Sequence, residues 1–124
     1  VEGEDADQRQ VIIDSVKSLL QPQKIAASRE DLEQASQQLR TIAPYNFDAW
    51  RLHADLLLKA LRQLETREIQ PDPSFTLLAI PLRENDIRDA AEAALRQCAL
   101  FAHSNETAIA LIDEANSVRR PTWF

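Results

Sequence analysis

The sequence predicts an all-α domain: antiparallel helical hairpins, about five helices in all. Three observations carry that expectation. Apolar side chains recur at spacings of three and four along most of the chain, the period of a helix face. Prolines punctuate those stripes at Pro22, Pro44 and Pro71, where a helix interior could not hold them. Gly3 is the single glycine among 124 residues, so no glycine-rich loop able to cradle a phosphate can be written.

From Asp7 to Leu20 the residues Ile12, Ile13, Val16, Leu19 and Leu20 fall on one face of an amphipathic helix, which Pro22 ends. Residues 1–6, ahead of that stripe, are expected to be disordered or vector-derived. Ser28, with Asp31 three residues on, opens a second helix in the manner of a capping box; its core side is Leu32, Ala35, Leu39 and Ile42, and Pro44 stops it. Asn46 or Asp48 caps the longest helix, running to about Ile69 with Trp50, His53, Ala54, Leu57, Ala60, Leu61 and Leu64 inward. Residues 70–84 change character. Pro71, Pro73 and Pro81 forbid a continuous helix, yet Phe75, Leu77, Leu78, Ile80 and Leu82 are too apolar for a free linker, so an ordered, proline-rich strap across the helices is expected. Asn85 or Asp86 caps a fourth helix bearing Ile87, Ala91, Ala94, Leu95, Cys98 and Phe101. Ser104 caps a fifth, bearing Ala108, Leu111, Ile112, Ala115 and Val118.

A chain of this length, 44% hydrophobic, makes one domain that buries roughly two thirds of its unfolded surface. The balance of 14 basic against 20 acidic residues leaves a net charge of −6. Arg51, Arg62, Arg67, Arg88 and Arg96 alternate with carboxylates instead of forming the basic stripe that counterion release needs, which argues against nucleic acid. Cys98 is the single cysteine, so there is no internal disulfide and no zinc-ligand spacing; a reducing cytoplasm suits such a chain. No apolar run approaches the ~18 residues that span a bilayer. The chain starts at Val1 and holds no methionine, so it is expected to be a piece of something longer.

Ala90, Ala91, Ala93, Ala94, Ala99 and Ala102 leave little bulk on the fourth helix, so axes can approach to the lower end of the ~8–10 Å packing range. Stacked helix pairs need that closeness, because each pair must lean on a neighbour. The stretch Pro44-Tyr-Asn-Phe-Asp-Ala-Trp50, followed by Ala54 and Leu57, resembles the junction between two tetratricopeptide repeats. Ile80-Pro-Leu82, Ala94-Leu95-Arg96, Leu111-Ile-Asp-Glu-Ala-Asn116 and Val118-Arg119 resemble the carboxyl-terminal end of the protein kinase G family of bacterial serine/threonine kinases. The resemblance is closest from about Ala79 to Phe124 and collinear, though weaker, from Leu32 to Leu64. It implies a tetratricopeptide-like, right-handed helical array that follows a kinase domain and serves dimerisation and the presentation of protein substrates. The chain itself has no glycine-rich loop, His-Arg-Asp loop or Asp-Phe-Gly site, so no kinase chemistry carries over to its residues.

Several side chains invite a chemical reading. His53 and Asp55, two apart on a helix, point to different sides and make a poor ligand pair; His53 reads as a partly buried structural residue. His103 reads as a turn residue that favours the negative end of the fourth helix. Cys98 sits on an apolar stripe as a small hydrophobe, with no flanking charge to activate it. Glu92, Glu106, Asp113 and Glu114 are of the type that general acid–base catalysis uses, but without a nearby nucleophile or metal they read as solvated helix faces. Trp50 reads as core. Trp123 and Phe124 follow Pro121 and must fold back or stay exposed; exposed, they would anchor a partner.

No catalytic, cofactor-binding or metal-binding residue is expected. The expected function is that of a non-catalytic protein-interaction and regulatory module at the carboxyl terminus of a bacterial serine/threonine kinase. Its partners would be its own kinase domain, a second copy of the chain or a protein substrate, with Arg119, Arg120, Trp123 and Phe124 at the contact. The alternative is a free-standing tetratricopeptide-like adaptor that takes a peptide segment of another protein. A small helical enzyme is the remaining class, and it lacks its constellation.

Overall fold

The computed structural model describes residues 2–19, 29–41 and 47–119. Along them run α1 (Glu2–Leu19), α2 (Arg29–Arg40), α3 (Phe47–Glu65), β1 (Asp72–Leu77), β2 (Ile80–Leu82), α4 (Glu84–Leu100) and α5 (Asn105–Arg119). The expected all-α architecture is found. Helix α1 begins at Glu2, so residues 2–6, expected to be disordered, are helical. Their run is free of proline, which a helix interior excludes. Leu20, Ser28, Ile42 and Asn46, read above as core or cap residues, lie outside the described residues.

Helix α3 is the centre of the molecule, packed against α1, α2 and α4. That is why its buried set is wider than a single stripe. Ala54, Leu57, Ala60, Leu61 and Leu64 are buried as expected, and so are Ala49, Leu52, Leu56 and Gln63 on its other sides. Trp50 and His53 are only half-buried. Helix α3 stops at Glu65, short of Ile69, because Arg67 turns the chain at φ 62° and the Glu68 N–H bonds back to the Gln63 carbonyl at 2.9 Å. Ile13 and Val16 of α1 and Leu32, Ala35 and Leu39 of α2 complete this half of the core.

Helix α4 lies between α3 and α5, with Ala91, Ala94, Leu95 and Cys98 buried. The small residues Ala91, Ala94 and Cys98 let the three axes close up. Helix α5 leans mainly on α4, so only Leu111 and Ala115 of its expected stripe are fully buried. Ile112 is 40% exposed and Phe101, at the end of α4, 41%, against the expectation that both face inward. Ile112 lies on an edge helix with one main neighbour and no second wall to cover it, and Phe101 sits at the C-cap of α4, past the last residue of the helix.

The proline-rich strap is a β-hairpin. Leu77 pairs with Ile80, Thr76 with Pro81 and Asp72 with Leu82, with the register shifting between Asp72 and Thr76. Leu78 and Ala79 make the turn at φ 52° and 66°, the signs of a type I′ turn, which normally calls for Asn-Gly. Side chains in that region cost about 1–2 kcal/mol per residue. The tip holds because Leu77 and Leu82 are fully buried and because the Ser36 hydroxyl of α2 accepts the Leu78 N–H at 2.8 Å. The hairpin runs straight into α4 through an extended Arg83, which takes the N-cap position without a side-chain cap. Neither Asn85 nor Asp86 caps this helix, then; Asp86 instead pairs with Arg83 at 2.9 Å. Ser104 does cap α5, its hydroxyl accepting the Thr107 N–H at 3.2 Å.

Candidate protein-interaction site

The first turns of α3 and residues 106–114 of α5 enclose an open groove of about 560 Å3, lined by Phe47, Arg51, Glu106, Thr107, Ala110, Leu111 and Glu114. The helical period explains the lining. Phe47 and Arg51 are one turn apart on α3, and Thr107, Ala110, Leu111 and Glu114 follow at three and four on α5. Phe47 is held from behind: its carbonyl lies 3.7 Å from the Cys98 Sγ and its ring 5.9 Å from that of His103. His103 is exposed in the turn between α4 and α5, as its reading as a turn residue implies.

Arg51 crosses the groove wall. Its two terminal nitrogens reach the two Glu114 carboxylate oxygens at 3.0 and 3.4 Å, and Nη2 also meets Asp55 at 2.9 Å. Burial works against the Arg51 charge, but the Glu114 hydrogen bond and the Asp55 carboxylate outweigh it and hold the guanidinium above its ordinary pKa. Burial also pushes the Asp55 carboxyl up, by more than Arg51 draws it down, and the like charge of Glu114 adds to that rise. Arg51 is charged at any physiological pH, so the direction that matters is the upward one at Asp55. One cation shared by two carboxylates, with Glu106 beside them, leaves the groove acidic over an apolar floor.

Glu114 is thus a bridging residue, contrary to its reading as part of a solvated face. Glu92 likewise pairs with Arg96 at 3.0 Å, with its side chain only 18% exposed. Glu106 and Asp113 are exposed. His53 meets Trp50 ring to ring at 5.7 Å, and its Nε2 and the Trp50 Nε1 have no hydrogen-bond partner among the described residues. Burial pushes the His53 pKa below its ordinary value, so the ring is held neutral. Cys98 is fully buried, and burial pushes its thiol up to about 11. Among the described residues no group of three His, Cys, Asp or Glu side chains is disposed to hold a metal ion. A second recess, of about 450 Å3, lies between α1 and α2, bounded by Val11, Ile12, Ser15, Gln37, Gln38 and Thr41. Of the four contact residues expected from sequence, Arg119 closes α5 and is exposed, while Arg120, Trp123 and Phe124 lie outside the described residues.

A family model described as the protein kinase G tetratricopeptide repeat matches residues 8–122, nearly the whole chain and every element from α2 to α5. The chain belongs to that family. No curated protein matches it. The protein kinase G tetratricopeptide assignment accounts for the stacked helix pairs and for an edge helix, α5, with apolar side chains still in solvent, since repeats bury their faces against neighbours. Tetratricopeptide domains are protein-interaction modules. No described helix is long and apolar enough to cross a membrane.

Proposed function

We propose that this chain is a non-catalytic docking and regulatory module at the carboxyl terminus of a bacterial serine/threonine protein kinase, contributing to dimerisation and to the binding of substrate or partner proteins in the cytoplasm. The observation that carries the reading is the groove between α3 and α5, acidic at its rim and apolar at its floor, with Arg51 and Glu114 fixing its walls. Such a surface takes a protein segment bearing a basic side chain beside an apolar one. Arg119, Arg120, Trp123 and Phe124 are the residues of this chain proposed to anchor a partner, since aromatics and arginine dominate interface energetics.

The test is sedimentation velocity of the chain alone and mixed with the kinase domain from the same source. Faster sedimentation of the mixture, reduced by the double change Trp123→Ala and Phe124→Ala, supports the module. Unchanged sedimentation in the mixture and with the double variant rejects it. A free-standing adaptor that binds a peptide is the second reading, favoured by the open form of the same groove. It predicts capture of an extended or helical basic peptide with no kinase domain present.

A further inference from the structure

The groove between α3 and α5 has a spacing as well as a charge. Phe47 meets His103 just ahead of α5, and Arg51 meets Glu114 further along it, so α3 and α5 run in the same direction on either side. Helix α4 packs against both and closes the groove from behind, its Cys98 Sγ 3.7 Å from the Phe47 carbonyl. Along α5, Thr107, Ala110, Leu111 and Glu114 line the groove at i, i+3, i+4 and i+7. By that spacing one helix packs on another, and the small Thr107 and Ala110 let a second axis come close. Carboxylates mark the two ends. Glu106 is exposed and has no ion pair among the described residues. At the other end Arg51 bonds both Glu114 oxygens and also serves Asp55, so the three groups leave one negative charge. A carboxylate offers about four acceptor sites, which leaves Glu114 able to take a second cation.

Building on the docking reading, we propose that the groove takes an amphipathic α-helix of a partner protein, with a basic residue at each end of its apolar face and two helical turns between them. Glu106 and Glu114 are eight residues apart, about 12 Å along the α5 axis. Two turns of a partner helix, seven or eight residues, cover about 10.5–12 Å and set one basic side chain opposite each carboxylate. Apolar residues three and four positions after the first basic one fall on the same face and meet Phe47, Ala110 and Leu111. An extended peptide lacks this fit. Strand addition draws its affinity from the free N–H and C=O groups of a sheet edge, and a wall made of helices has spent its own within them.

The test titrates the chain into two labelled, alanine-based helical peptides of equal composition and follows fluorescence anisotropy. In the first peptide two lysines stand seven positions apart, with leucines three and four positions after the first lysine. In the second the lysines stand four apart, which matches the carboxylates only if the peptide is extended. The expected result is saturable binding of the first peptide, at least tenfold tighter than the second and weakening as salt is added. Glu106→Gln then weakens it several-fold with the helical circular dichroism of the chain retained, and Glu114→Gln serves as the second variant. No saturable binding of the first peptide, equal or tighter binding of the second, or binding indifferent to both glutamine variants overturns the proposal. Titration with the kinase domain answers the docking reading separately. A kinase domain that binds where the first peptide does not rejects the helix and leaves docking standing; a peptide that binds where the kinase domain does not rejects the kinase as partner and leaves the helix standing.

Discussion

Arg51 and Glu114 stand 63 residues apart in the sequence and 3.0 Å apart in space, tying α3 to α5 across the wall of the groove. Their side chains are 31% and 38% exposed, so water screens the pair. A double-mutant cycle with Arg51→Ala and Glu114→Gln is expected to give a coupling of about 0.5–1 kcal/mol, falling as salt is added. Urea unfolding of the four proteins measures it. Additive losses would mean that the bridge orders the groove without stabilising the fold.

The Ser36 to Leu78 hydrogen bond holds a turn whose two central residues both lie at positive φ. Ser36→Ala leaves the Leu78 N–H without its partner and is expected to cost about 1–3 kcal/mol. Ala79→Gly relieves the turn and is expected to stabilise by a few tenths to about 1 kcal/mol, the strain relief being partly offset by the greater freedom of glycine when unfolded. Denaturation midpoints of the two variants would separate these effects, and a neutral Ser36→Ala would show that the hairpin tip is held by Leu77 packing alone.

His53 makes stability depend on pH. Burial holds its folded pKa below the unfolded value of 6.5, so the folded chain binds fewer protons than the unfolded one as pH falls. Its contribution is fully present above pH 6.5 and is lost as pH drops from there through the lowered folded value. Thermal midpoints from pH 8 to pH 5 are expected to decline more steeply in the unaltered chain than in His53→Gln. Parallel declines would locate the proton uptake elsewhere.

Cys98, fully buried with its thiol pushed up to about 11, is expected to resist thiol reagents in the folded state. Labelling with a chromogenic disulfide at pH 8 should proceed at the rate of global opening and accelerate only in denaturant. Rapid labelling of the native chain would contradict its place between α3 and α4.

Much of the fold is legible because helices announce themselves locally. The stripes at Ile13–Val16, Leu32–Leu39 and Ile87–Cys98 are buried as their spacing requires. The hairpin was hidden because its turn, Leu78-Ala79, carries none of the glycine or asparagine that marks a type I′ geometry, and because Pro81 in β2 reads as a strand breaker. Ile112 and Phe101 were misplaced for a different reason. Period gives the face of a helix, but only the neighbour count decides whether that face has something to meet. The groove itself was the least legible feature. Arg51 looked like one of several arginines alternating with acids, and Glu114 like a solvated carboxylate; no local pattern reveals a bridge between positions so distant in the chain.

The central claim is that the groove between α3 and α5 docks a protein. Ala110 is exposed and lines it, so Ala110→Glu places a long charged side chain in the groove without touching the core. The deciding measurement is calorimetric titration of the kinase domain from the same source into the chain and into Ala110→Glu. Saturable binding that weakens at least about tenfold in the variant, a loss of about 1.4 kcal/mol, is the predicted result. Equal binding by both proteins, or no binding by either, would contradict it.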